Sequence, residues 1–98
     1  MMSLEEISYS IMEEIDNFQY KHSGMLPDCI FMSTPLIRYI SRSGELAIDY
    51  NIENDGLGKV GRYQGINIIE YDYPKPQYYL ASGPGMFRAY YKATEVVL

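Results

Sequence analysis

The sequence predicts a single α+β domain over residues 1–98, with an N-terminal amphipathic helix and a short second helix packed on a mainly antiparallel sheet of about five strands. Three observations lead there. Apolar residues near the N-terminus recur at helical spacing. Those in the second half alternate with polar residues or run in short apolar blocks. Glycine and proline clusters separate the blocks. Charge divides the chain in the same way. Five of its thirteen carboxylates, Glu5, Glu6, Glu13, Glu14 and Asp16, precede the first cation, Lys21. From residue 17 onward eight acids balance eight bases, so the net charge of −5 belongs to the N-terminal segment.

Ser3-Leu4-Glu5-Glu6 has the pattern of a capping box, with Ser3 and Glu6 each able to satisfy the other's backbone N–H. Leu4, Ile7, Ile11, Ile15 and Phe18 follow at spacings of three, four, four and three, which is one helical stripe, and Met12 is expected to widen it. The carboxylates fall on the other side and should look to solvent. Lys21 and His22 sit near the negative end of the helix dipole, and Gly24 is the expected stop, so the helix should span about 4–22.

Cys29-Ile30-Phe31-Met32 reads as a buried strand. Thr34 as cap and Pro35 at the first helical position start a short second helix that ends before Gly44. Leu46, Ile48, Tyr50 and Ile52 alternate with polar or small residues, as in a half-exposed strand. Asn54 to Gly58 is a loop or hairpin tip, Val60 to Tyr63 a strand, Gln64-Gly65 a bulge or turn, and Ile66 to Tyr71 the strongest central strand. Tyr73-Pro74-Lys75-Pro76 is an extended loop, since neither proline donates to a ladder. Gln77 to Ala81 is another strand and Ser82 to Gly85 a turn. Met86 to Lys92 and Glu95 to Leu98 are the expected closing strands.

Composition narrows the function classes. A pI near 4.7, with its eight cations scattered, argues against a nucleic-acid surface, which needs clustered Lys and Arg. The amphipathic helix is acidic, which argues against adsorption to a membrane, and no apolar run approaches the ~20 residues that span one. The N-terminus does not read as a secretory signal, and one cysteine, Cys29, fits a reducing compartment. Eleven tyrosines without a tryptophan suit either the solvent face of a sheet or a surface that meets a partner.

No motif carries a reaction. Gly56-Leu57-Gly58-Lys59-Val60-Gly61 matches the letters of the dinucleotide fingerprint, but the residues after it are β-like, so a hairpin tip is expected there. His22 and Cys29 are too few for a zinc site, and the helical carboxylates lack a second ligand helix, so no metal or cofactor is expected. Cys29 lies in an apolar strand, which raises a thiol's pKa, and no catalytic residue is assigned. A small enzyme would show itself as a pocket gathering His22 with an acid and two tyrosines.

Pro27-Asp28-Cys29-Ile30-Phe31-Met32-Ser33-Thr34-Pro35-Leu36-Ile37-Arg38-Tyr39-Ile40, preceded by a helix and followed by the glycine-marked strand Gly61 to Glu70 and by Tyr78 to Ala81, resembles the axial-domain region of tailed-phage major capsid proteins. The resemblance covers about residues 4–98 in the order of elements. It implies a domain that packs around a capsomer axis, in a virion or in the host cytoplasm. Capsid subunits of that family also carry an N-terminal arm, an extended loop and a long spine helix, for which this sequence has no room. An isolated axial domain, a shortened relative or an accessory head protein would fit. The resemblance transfers no functional residue, because the family's role is carried by surfaces.

The expected function is therefore a non-enzymatic assembly module acting through self-association or packing with other virion subunits. Its candidate interface aromatics are Tyr50, Tyr63, Tyr71 and Tyr78, with Glu6, Glu13 and Glu14 setting orientation by charge. The alternative is an adaptor domain that binds a protein partner through the acidic helix face.

Overall fold

The computed structural model describes residues 2–43, 48–49, 59–82 and 93–98. Helix α1 (Leu4–Lys21) is followed by β1 (Cys29–Ser33), α2 (Thr34–Ser43), β2 (Ile48–Asp49), β3 (Lys59–Tyr63), β4 (Ile66–Tyr71), β5 (Gln77–Ala81) and β6 (Thr94–Glu95). The α+β class is as the sequence predicts. The six strands form one sheet in the order β2-β3-β4-β1-β5-β6. Four of the five pairings are antiparallel, and β1 runs parallel to β4 at the centre.

The capping box forms in full: Ser3 N–H donates to Glu6 Oε1 at 3.1 Å, and Glu6 N–H donates to Ser3 Oγ at 3.2 Å. At the other end Ser23, left-handed at φ 56°, turns the Gly24 N–H back to the Gln19 carbonyl at 2.7 Å, and Gly24 follows at φ +85°. Between these stops Ile7, Ile11, Ile15 and Phe18 are buried, and together they contribute roughly 6–12 kcal/mol of gross burial. Most of a helix's stability in a folded domain comes from packing its amphipathic face, and this stripe supplies it.

The sheet alternation separates two clusters. Ile30 and Met32 of β1, Ile66 and Ile68 of β4, and Tyr78 and Leu80 of β5 face the helices, where they meet the α1 stripe and Leu36 and Ile40 of α2. Cys29, Tyr71, Tyr79 and Ala81 form the opposite cluster, with Phe31 and Ile69 against it. There Phe31 and Tyr79 stack at 4.8 Å, and Tyr71 meets both rings edge-on.

Gln64 (φ 49°) and Gly65 (φ 81°) make a two-residue hairpin between the paired Tyr63 and Ile66, resolving the expected bulge or turn as a turn with two left-handed positions. Thr34 departs from the expected cap: its hydroxyl donates to Glu70 Oε2 at 2.7 Å, because Met32–Glu70 register places that carboxylate at the start of α2. The last strand is also shorter than expected. Only Thr94–Glu95 pairs with β5, after which Val96 N–H donates to the Pro76 carbonyl at 3.0 Å and the chain leaves the ladder. The hairpin tip at 54–58, the strand at 86–92 and all but Ile48–Asp49 of the strand at 46–52 lie outside the described residues.

Candidate functional site

The chemistry of this domain lies on the helical layer. Ser8 and Ser10 flank the buried stripe of α1, one on each side. Ser8 Oγ shares a 2.9 Å hydrogen bond with the Tyr63 hydroxyl, and Ser10 Oγ a 2.7 Å bond with the Tyr78 hydroxyl. The buried stripe sets the roll of α1 on the sheet, and these two bonds, one on each flank, pin it.

Three of the candidate interface aromatics are thereby corrected. Tyr63 and Tyr78 are 2% and 0% exposed and belong to the core beneath α1. Tyr71 is buried on the opposite face, where its hydroxyl accepts from Gln77 Nε2 at 2.7 Å. Each ring reaches apolar cover while its hydroxyl finds a partner inside the domain, so none is offered to another molecule. Tyr50 lies outside the described residues.

Among the described residues the exposed aromatics are instead Tyr9 and Tyr20 on the outer face of α1, 70% and 90% exposed, and Tyr73 after β4, 37% exposed. Met12, expected to widen the buried stripe, joins them at 45%. The signal was present in the sequence: residues 9, 12, 16 and 20 form a second stripe opposite the isoleucines, at spacings of three or four.

The carboxylates divide by role. Glu13 is exposed on the outer face with Glu5 and Asp16. Glu6 is exposed but held by the capping box, where the Ser3 N–H and then the Ser3 hydroxyl draw its carboxyl below the ordinary range. Glu14 is half-buried and lines one cleft with Tyr78. Glu5, Glu6, Glu13 and Tyr9 also line a shallow hollow of about 440 Å³ at the N-terminal half of α1. On α2, Arg38 and Arg42 stand exposed one turn apart, opposite the buried Leu36 and Ile40.

An open cleft of about 950 Å³ lies between the C-terminal half of α1 and β5–β6. Its lining includes His22, Glu14, Glu95, Tyr78 and Tyr79, the composition a small enzyme would show. His22 Nδ1 lies 2.8 Å from the Phe18 carbonyl, and its ring stacks on Phe18 at 3.9 Å, which makes it the cap of α1. The Tyr78 phenol is engaged by Ser10 and pushed up to about 12, chiefly by burial, while the Tyr79 ring belongs to the opposite cluster. Cys29 is buried and its thiol is pushed up to about 11 by burial and by Asp28, the reverse of an activated nucleophile. Among the described residues no three His, Cys, Asp or Glu gather as a metal site, and no helix is long and apolar enough to cross a membrane. Lys59–Tyr63 is a strand, so the fingerprint-like glycines are followed by β structure and not by a helix N-terminus that could meet a phosphate.

No family model, curated protein or solved structure matches this chain.

Proposed function

We propose that this domain is a non-enzymatic assembly module that works by self-association or subunit packing, similar to part of a tailed-phage capsid protein. The observation that carries the reading is the outer face of α1. It exposes Tyr9, Met12 and Tyr20 on an ordered helix whose other side is already buried. Large aromatic side chains with a polar tip are what interfaces enrich. The order of helix, strand and short helix is the order the capsid resemblance implies, whereas the single glycine-marked strand it implies at Gly61 to Glu70 is here the β3–β4 hairpin. In this reading the partners are protein, without nucleic acid or membrane, and the setting is a virion or the host cytoplasm. Sedimentation velocity of the purified chain over a concentration series tests it. Growth of the sedimentation coefficient with concentration is the expected result, and a strict monomer at high micromolar concentration opposes it.

A second reading rests on Glu5, Glu13 and Asp16, exposed carboxylates beside those tyrosines. They suit an adaptor domain that docks a basic protein surface. Reversing the charge of Glu5, Glu13 and Asp16 should then remove one specific partner from a pull-down, and unchanged capture would dismiss the idea.

A further inference from the structure

We propose that two copies of this chain meet helical layer to helical layer about a twofold axis, with the acidic face of each α1 seated on Arg38 and Arg42 of the other copy's α2. The inference rests on the self-association reading and adds the surface, the symmetry and the charges that set the register.

Both helices lie on one side of the sheet. The stripe of α1 and the Leu36–Ile40 pair of α2 bury into the same cluster as Ile30 and Ile68, so the outer faces of the two helices look the same way. One face is acidic and aromatic, and the other carries two exposed guanidinium groups about 6 Å apart along the helix. Two copies cannot bring α1 onto α1 without setting Glu13 and Asp16 against their own kind. A twofold axis that lays α1 over α2 places opposite charges together twice, since in an isologous contact every pair is formed in both directions. Exposed ion pairs contribute little to affinity. The apolar area comes from Tyr9 and Tyr20, whose rings are also platforms for guanidinium planes, and the charges choose the register.

Charge reversal separates the possibilities. The acid-reversed variant is Glu13→Arg with Asp16→Arg, and the base-reversed variant is Arg38→Glu with Arg42→Glu. All four positions are exposed, and circular dichroism confirms folding before use. Sedimentation equilibrium at low salt should show each variant alone associating roughly tenfold or more weakly than the unaltered chain. Mixed in equal amounts, the two variants should recover a closed one-to-one pair, because both contacts of the twofold are then attractive. The fourfold variant should self-associate like the original, since each of its pairs is merely inverted. Reversed variants that associate undiminished would overturn the proposal while leaving self-association standing. Mixtures that grow into chains longer than pairs would overturn the twofold. An unaltered chain that stays monomeric would sink the assembly reading itself.

Discussion

Replacing Tyr78 with Phe keeps the ring in the core and removes only the hydroxyl that meets Ser10 Oγ at 2.7 Å. At neutral pH the loss should cost about 1 kcal/mol, the usual net value of a partly buried hydrogen bond. In alkali the sign reverses. The phenol is raised from 10.0 to about 12, by burial first and by Glu14 and Glu13 in addition, while the Ser10 and Thr94 bonds pull it down. The folded protein therefore keeps a proton that the unfolded chain releases near pH 10. Stability is full below that pH and falls as the pH rises toward 12. From this one group the loss is roughly 1.4 kcal/mol at about pH 11 and roughly 2.3 kcal/mol at about pH 12. The Tyr78→Phe protein carries no such loss. It should be the less stable of the two at pH 7, match the original close to about pH 11, and exceed it above. Urea midpoints followed by circular dichroism at stepped pH measure the difference, and every other titrating group cancels between the two proteins. A gap that stays constant or widens with pH would refute the burial of the phenol. No gap at pH 7 would refute the hydrogen bonding of the phenol to Ser10 and Thr94.

Further outcomes are expected at three places in the chain. Ser3→Ala removes the hydroxyl that caps Glu6 N–H and should lower stability by about 1 kcal/mol, read as a shift in the thermal midpoint. The same change leaves the residue 3 N–H in place, the larger of the two bonds that lower the Glu6 carboxyl, so that carboxyl should stay below its ordinary range. At the β3–β4 hairpin, Gly65→Ala meets no neighbouring atom and should still cost about 1–2 kcal/mol, through its φ of 81° alone, whereas Gln64→Asn should be neutral or stabilising. Cys29 should resist a maleimide in the folded protein at neutral pH and react at once in denaturant, as its burial and a thiol raised to about 11 require.

Local chemistry was legible in the sequence. Ser3 and Glu6 are three residues apart, the α1 stripe repeats every turn, Gly24 and Gly65 stand where the backbone turns left-handed, and Pro74 and Pro76 interrupt the ladders. The features that failed to show were set at long range. Alternation says that Tyr63 and Tyr78 lie on one face of their strands, but not which face meets the helix. That depends on the parallel register of Ile30 with Ile68 and on a serine 68 residues from Tyr78. A tyrosine with a partnered hydroxyl packs as core, whereas composition alone made these residues look like surface. The outward stripe of Tyr9, Met12 and Tyr20 was hidden by the isoleucines beside it. Met12 is apolar and adjacent to Ile11 and Ile15, and it is the roll of α1, set by the buried stripe and pinned by Ser8 and Ser10, that turns it outward.

Hydroxyl-radical footprinting across a dilution series reads the central claim, that Tyr9, Met12 and Tyr20 form a contact surface while Tyr63 and Tyr78 serve the core. Oxidation at residues 9, 12 and 20 should be strong in dilute protein and fall as concentration rises, and Tyr63 and Tyr78 should stay protected throughout. Equal oxidation of the α1 face at every concentration, or reactive Tyr63 and Tyr78 in the folded chain, would contradict it.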